Sequence, residues 1–328
     1  MTTPTPTQSD APGISRIAVV GSGYMGGGIA QVLALSGIDV VLGDVDAATA
    51  EEARVRLVEQ AKTFETNGLF DAGSADIIEA RLSAAATVEE AVADVDYVTE
   101  AVFETREVKS EALARISAAA RDDTIIGSNT SAIPIGELAA SVRLPERFLG
   151  VHWMNPAPFI PGVELIAAAS TDPAVVDRAE ALILAAGKVP ARVADTPGFV
   201  ANRLQFALYK EAVAVVEEGL ATPEQVDLVV SNAFGFRLAL FGPFAIGDMA
   251  GLDVYAASYG SLEKSYGERL AAPALLTETV EAGNIGIKSG RGFLDIAPED
   301  VPALLAYRDQ AYRALSELRK KLGAAPGL

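Results

Sequence analysis

The only histidine of this 328-residue chain, His152, closes an apolar run and opens the turn Trp153-Met154-Asn155-Pro156. Imidazole is the side chain whose ordinary pKa lets it take and return a proton near neutral pH. The carboxyl end of a strand is where open α/β sheets hold their ligands. Twelve residues on, Glu164 stands inside the apolar stretch Val163-Glu164-Leu165-Ile166. A carboxylate buried there needs a partner, and the histidine is the partner in reach. A histidine steadied by a carboxylate has one tautomer fixed and its basicity raised, which suits a general base removing a hydroxyl proton during hydride transfer. A lone histidine packed in a core is the competing reading, so the surroundings decide.

A second cluster could hold the hydride acceptor. Gly21-Ser22-Gly23-Tyr24-Met25-Gly26 follows the apolar run Ile17-Ala18-Val19-Val20 and precedes a helical stretch to Leu35, with Gly37 placed as a C-cap. Between a strand and a helix, G-x-G-x-x-G is a dinucleotide fingerprint. Gly21 permits the tight turn, Gly23 lets the backbone approach a pyrophosphate, and Gly26 brings helix and strand close. The helix start, with Tyr24 and Met25, offers free N–H groups and a positive dipole end. The next apolar run, Ile38 to Leu42, ends at Gly43-Asp44, eighteen residues past Gly26. A carboxylate there accepts from the ribose hydroxyls and repels a 2′-phosphate, which favours NAD over NADP. FAD, a nucleotide sugar and a glycine turn without ligand are alternatives for the same pattern.

Composition removes other chemistries. The chain has no cysteine, so disulfides, thiolate zinc sites, iron–sulfur clusters and thiol nucleophiles are excluded, and one histidine leaves no multi-His metal site. No metal is expected. The 26 Lys+Arg against 44 Asp+Glu give a net charge of −18, so neither nucleic acid nor an anionic membrane is an expected partner. No lysine has a tyrosine four positions before it, so the Tyr-x-x-x-Lys pair of short-chain dehydrogenases is absent. Met1 to Ser15 is Thr/Pro/Ser-rich without an apolar centre and reads as a disordered leader rather than a signal peptide. Ile17 to Ile38 is uncharged over 22 residues, enough to span a bilayer, but its six glycines fit a strand, nucleotide loop and helix better. A cytoplasmic location is expected.

The elements that must position these residues alternate. Apolar runs at Tyr97–Val102, Thr124–Gly127, Phe148–Val151, Val163–Ala167 and Lys188–Ala194 are separated in several places by helical segments, among them Asp172–Gly187. Strands alternating with helices indicate an α/β fold, a Rossmann-type doubly wound parallel sheet. Beyond Thr196-Pro197-Gly198 the pattern is helical: Phe199–Leu220, Pro223–Ala233, Ala250–Tyr266 and Pro302–Leu322. The expected organisation is a cofactor domain over 16–195 followed by an all-helical C-terminal domain over 196–328.

Several dispersed segments, in order from Arg16 to Phe293, resemble the 3-hydroxyacyl-CoA dehydrogenase family, whose relatives include lambda-crystallin, gulonate and carnitine dehydrogenases. Ser128-Asn129-Thr130-Ser131 resembles the family's S-N-T-S segment, which implies that Ser131 contacts substrate and cofactor. His152-Trp153-Met154-Asn155-Pro156 resembles H-x-x-N-P, implying a catalytic His152 partnered by Glu164 and a nicotinamide-side Asn155. Pro197-Gly198-Phe199-Val200-Ala201-Asn202-Arg203 resembles P-G-F-x-x-N-R, implying a substrate-orienting Asn202. Glu100-Ala101-Val102-Phe103-Glu104 with Lys109 resembles E-A-x-x-E, implying that Glu104 and Lys109 lie near the cofactor ribose. Gly290-Arg291-Gly292-Phe293 resembles the closing G-x-G-F turn, with Lys288 as a cofactor contact.

The resemblance implies an NAD-dependent interconversion of a short 3-hydroxyacyl-CoA and its 3-keto form, by a homodimer joined through the helical domain. Two alternatives stand beside it: dehydrogenation of a free hydroxy acid or hydroxymethyl or carbonyl compound without CoA, and a non-catalytic NAD-binding protein. The segment Ala61 to Phe70 holds one lysine, Lys62, and two phenylalanines, where relatives often carry lysines near the CoA phosphates. Phosphates are best held by lysine or arginine, so this segment offers few cations for CoA phosphates. Trp153 beside the base either reshapes the pocket or packs beneath the strand.

Overall fold

A computed structural model describes residues 13–327, so the expected leader lies almost wholly outside the described residues. The chain forms two compact units that divide between Tyr209 and Lys210. In the first, the elements run β1 (Arg16–Val20), α1 (Tyr24–Leu35), β2 (Asp39–Gly43), α2 (Ala47–Thr66), α3 (Ser74–Arg81), β3 (Leu82–Ala84), α4 (Val88–Val92), β4 (Tyr97–Glu100), α5 (Arg106–Ala119), β5 (Ile125–Ser128), α6 (Ile135–Ala139), β6 (Phe148–Trp153), β7 (Gly162–Ala167), α7 (Pro173–Ala185), β8 (Val189–Val193) and the opening of α8 (Ala201–Glu217).

The eight strands form one sheet in the order β3-β2-β1-β4-β5-β6-β7-β8. The strand order turns back between β1 and β4, the switch point at which doubly wound sheets bind ligands. Side chains alternate across β1: Ile17 and Val19 enter one core cluster, Ala18 and Val20 the other. Both faces are therefore covered, and the central strands read as unbroken apolar runs.

The uncharged stretch from Ile17 to Ile38 is β1, the glycine loop and α1. No helix among the described residues is long and apolar enough to cross a membrane. Its glycines serve close packing. A Cβ on Gly26 would collide with the carbonyl oxygen of Gly21, and one on Gly28 would stand 3.0 Å from Pro158 Cδ.

Two features depart from the expected sheet. The three-residue edge strand β3 was not legible, being too short to show a period. More consequentially, β7 runs antiparallel to β6 while every other neighbouring pair is parallel. Only residues 154–161 join β6 to β7. A parallel crossover needs a dozen residues or more, so the chain must reverse. The reversal sets His152 directly opposite Glu164 in the register.

The second unit is helical, with α9 (Pro223–Asn232), α10 (Phe234–Leu238), α11 (Pro243–Ala250), α12 (Leu252–Tyr266), α13 (Ala274–Glu281) and α14 (Val301–Leu322). The glycine-rich turn near its end is built around buried Asp248. That carboxylate accepts from the N–H groups of Phe293 (3.1 Å) and Leu294 (2.8 Å), and the Asp248 carbonyl accepts from Ile287 (3.0 Å). A Cβ on Gly292 would fall on the Asp248 carboxylate, so the turn's second glycine is a packing requirement.

The contact between α1 and β1 yields a stability prediction. Gly26→Ala is expected to lower stability by about 1–3 kcal/mol, the usual cost of overpacking a closed contact, read as a lower urea midpoint. Gly162→Ala, whose Cβ would meet nothing within 4 Å, is the control expected to leave the midpoint in place.

Candidate active site

At the carboxyl ends of β1 and β4 lies a cleft of about 1180 Å³, lined only by residues of the first unit. It exceeds the roughly 300–1,000 Å³ of a pocket for one drug-sized molecule. One end is the glycine loop. Gly21 has φ +91°, its N–H donates to Gly43 (2.9 Å), and a Cβ there would sit 2.6 Å from the Ala101 carbonyl oxygen. Gly23 caps α1 without a side-chain bond, and a Cβ on it would meet nothing, because the position opens onto the cleft. Tyr24 and Met25 follow in the first helical turn, whose N–H groups have no acceptor within the helix. Gly26 itself lies underneath, between helix and strand.

Asp44 stands just past β2 and faces the loop. One carboxylate oxygen accepts from the Ser22 N–H (2.8 Å) and the Ser22 hydroxyl, the other from the Val45 N–H (2.8 Å). From α2, Arg56 donates to the Ser22 carbonyl (2.7 Å), so Ser22 is gripped from both sides. Open helix amides, a glycine whose missing side chain leaves room, and an oriented carboxylate fit a dinucleotide with a free ribose. Arg56 was not singled out from sequence, since one arginine on a polar helix face carries no signal.

Beyond the loop, a buried charge network shapes the wall. Lys109 on α5 is 1 % exposed and lies between Glu100 (2.8 Å) and Glu104 (3.2 Å). Glu100 also accepts from the Ser128 hydroxyl and the Val102 N–H (2.8 Å). Glu104 accepts from the Thr130 hydroxyl (2.6 Å) and the N–H groups of Ser131 (2.7 Å) and Ala132 (3.2 Å). Glu104 and Ser131 line the cleft, whereas Lys109 is sealed beneath them. The lysine therefore acts on the site through Glu104. Burial alone would raise the Glu104 pKa, but the Thr130 hydroxyl, the Lys109 charge and the Ser131 N–H outweigh it and hold the carboxyl below its ordinary range.

His152 (β6) and Glu164 (β7) are both 5 % exposed, and Nδ1 lies 2.8 Å from Glu164 Oε2. The other carboxylate oxygen accepts from Val200 (3.0 Å) and Ala201 (2.9 Å) at the start of α8. A carboxylate at a helix N-terminus is favourably placed, and held at both oxygens it cannot swing from the ring. His152 lines the cleft, leaving Nε2 as the nitrogen free to exchange a proton. Asn202 also lines it, and its amide donates to the Ser131 carbonyl (2.8 Å). Asn155 is exposed on the cleft wall. Two further side chains, Asn129 on the cleft wall and Asp195 away from it, hold backbone groups of neighbouring elements. Asn129 accepts from the Trp153 N–H (2.8 Å), and Asp195 caps α6 through Ile135 and Gly136 (2.7 Å each). Trp153 is 2 % exposed and belongs to the core cluster, so it packs beneath the strand.

Thus Gly21, Gly23, Tyr24, Met25, Asp44, Glu104, Ser131, His152, Asn155 and Asn202 share one cleft, with Gly26, Lys109 and Glu164 directly behind it. Lys288 belongs to the second unit, where its ammonium donates to both oxygens of Asp253 (2.8 and 2.9 Å).

Comparison with known proteins accords with this geometry. The model of the "3-hydroxyacyl-CoA dehydrogenase, NAD binding domain" matches residues 16–196, and that of the "3-hydroxyacyl-CoA dehydrogenase, C-terminal domain" matches 198–296. The chain belongs to the 3-hydroxyacyl-CoA dehydrogenase family. It is 38% identical over 296 residues to the 5-formyl-3-hydroxy-2-methylpyridine 4-carboxylate 5-dehydrogenase of Mesorhizobium japonicum, covering 90% of this chain and 95% of that protein. It is 36% identical to a 3-hydroxybutyryl-CoA dehydrogenase of Mycobacterium tuberculosis, covering 87% of this chain and 99% of the relative. A crystal structure of a 5-formyl-3-hydroxy-2-methylpyridine 4-carboxylic acid 5-dehydrogenase, described as an NAD+-dependent dismutase, superimposes with TM-score 0.70 at 38% identity, covering 94% of this chain and 98% of that one. The chain is accordingly an NAD-dependent dehydrogenase acting on hydroxyl groups. The two family models meet at the Pro197 segment, whereas the compact units divide after Tyr209, because the start of α8 is tied to Glu164 and Ser131.

The Glu104 network carries a pH signature. A depressed carboxyl contributes stability that is full above its unfolded value and lost as pH falls through its folded one. Glu104→Gln is therefore expected to be less stable than the parent at neutral pH. The gap should narrow as pH falls below the ordinary carboxylate range, measured by urea unfolding from neutral to acid pH.

Proposed function

We propose that His152 is the general base and acid of an NAD-linked alcohol–carbonyl interconversion, with Glu164 as its orienting partner. The observation that carries this reading is the 2.8 Å contact of Nδ1 with a carboxylate that is itself held twice, in the cleft that contains the glycine loop. In oxidation Nε2 takes the hydroxyl proton while the carbon loses hydride and a C=O bond forms. Bound NAD supplies the hydride acceptor, or the donor in reverse. Glu164 stabilises the resulting imidazolium, and in reduction that ring returns its proton to the new alkoxide oxygen. Ser131 and Asn202, joined by the amide–carbonyl bond, hold the reacting oxygen in line, and Asn155 borders the nicotinamide.

We propose further that the substrate carries no CoA: a free hydroxy acid or a hydroxymethyl or aldehyde compound. Lys62 is taken up by Glu59 (2.7 Å), and the end of α2 presents Phe64 edge-on to Phe70 (5.1 Å) and to Phe159 (5.3 Å). That surface is apolar where the CoA reading asks for cations. The similarity to a dehydrogenase named for a pyridine substrate supports the same view. The second reading, a short 3-hydroxyacyl-CoA, is favoured by the family and the mycobacterial relative. A homodimer is the proposed assembly. Leu228, Val229, Tyr307 and Leu318 of the second unit are half or more exposed, apolar surface of a kind that subunit contacts bury.

His152→Asn is expected to lower kcat by about 10²–10⁴-fold with NAD affinity unchanged; full turnover would remove the base from the mechanism. In a panel followed by NADH absorbance, free hydroxymethyl and hydroxy acids are expected to turn over and acetoacetyl-CoA to fail. A higher kcat/KM for acetoacetyl-CoA than for every free compound would install the second reading. Light scattering at micromolar protein is expected to give twice the chain mass of 34.0 kDa.

A further inference from the structure

Lys188, between α7 and β8, is a buried charge that the proton transfer does not use. It is 7 % exposed and has no ion-pair partner among the described residues. Its three ammonium protons meet three carbonyl oxygens of one turn: Ala157 (2.7 Å), Ile160 (2.9 Å) and Pro158 (3.1 Å). The ammonium also lies 6.0 Å from the centre of the Trp153 ring. Burial pushes its pKa down from the ordinary lysine value. An apolar side chain of similar volume would avoid that desolvation, so the charge must return something locally.

What it returns is the closure of a turn. The N–H groups of Phe159 and Ile160 both donate to Pro156 (3.1 Å each), leaving the carbonyls of this single coil without partners inside it. A lysine at the end of a coil satisfies such orphans. The turn begins directly after Met154 and Asn155, which line the cleft. Ala157 and Pro158 rest against α1 at Gly28, where a Cβ would come within 3.0 Å of Pro158 Cδ and 3.4 Å of Ala157 Cβ.

We infer that Lys188 is a positioning residue for cofactor binding: by pinning three carbonyls of the 157–160 turn against the dinucleotide helix, it holds Asn155 and the cleft wall in place. The inference rests on the proposed role of Asn155 and on no step of the chemistry.

Two substitutions test it. Lys188→Met keeps the stem and removes every donor. Lys188→Arg keeps the charge, but its planar fork cannot supply a tripod of protons to three carbonyls of one turn. In both, deuterium exchange of the 154–161 amides is expected to accelerate and the dissociation constant for NAD+, read by titration calorimetry, to rise. Turnover is expected to fall by up to about 10²-fold, the cost of a misplaced site wall. Should Lys188→Met fail to fold, Lys188→Arg decides alone. Parental NAD+ affinity in the folded variants overturns the proposal, whether or not the turn loosens and whatever happens to Tm. Asn155→Ala run alongside separates the two ideas: parental NAD+ affinity in that variant removes the role of Asn155, whereas parental affinity in the Lys188 variants alone removes only the clamp.

Discussion

The eight-residue link between β6 and β7 is the constraint on which the site depends. It is too short for a crossover, so β7 returns antiparallel and pairs His152 with Glu164 across the ladder. In antiparallel pairs directly opposite residues have close Cβ atoms, so the His152–Glu164 contact is a consequence of strand register rather than of loop conformation. The carboxylate's second oxygen then receives the first amides of α8. One glutamate thereby orients the imidazole and anchors the helix that brings Asn202 to Ser131. Removing it would free the imidazole and the start of α8 together.

Charge is managed locally in a chain with a net charge of −18. Where an anionic cofactor must approach, the wall contributes helix amides and the Arg56 contact to Ser22 rather than a field of cations. The carboxylate in the interior, Glu100, and the one on the cleft wall, Glu104, each have several donors. Glu100 and Glu104 share Lys109 and take hydroxyl and amide protons from Ser128, Thr130 and Ser131. Lys109 is thus enclosed by acids, whereas Lys188 is enclosed by carbonyls alone. Lys109 also donates to the Val102 carbonyl (3.3 Å), but its charge is matched by acids, whereas the acceptors of Lys188 are all backbone carbonyls.

Much of this was legible in sequence because it obeys short-range rules. The glycine loop, Asp44 and the strand–helix alternation follow from spacing, and Glu164 stood out as an acid within an apolar run. What escaped depends on long-range packing. The antiparallel turn of β7 is set by loop length against sheet geometry, and β3 is too brief for periodicity. Arg56, Asn129 and Asp195 have ordinary local contexts and gain roles only from backbone groups brought to them from other elements. Lys109 was placed beside the cofactor by motif, and its burial beneath Glu104 becomes visible only when α5 is packed on the sheet. The glycines of the Gly290 segment carried a motif whose local reason, the buried Asp248 carboxylate, lies more than forty residues earlier.

The placement of these parts bears on how one scaffold serves unlike substrates. The His152–Glu164 contact is fixed by β6, β7 and the start of α8. The aromatic surface of Phe64, Phe70 and Phe159 is carried by the end of α2, the turn after it and the turn that Lys188 closes. Substitutions on those outer segments change size and charge there without altering the register that sets His152 against Glu164. Relatives named for acyl-CoA and for pyridine substrates accordingly stand at similar identity to this chain. Overall identity to either kind weighs the scaffold, and substrate class has to be argued from the site itself.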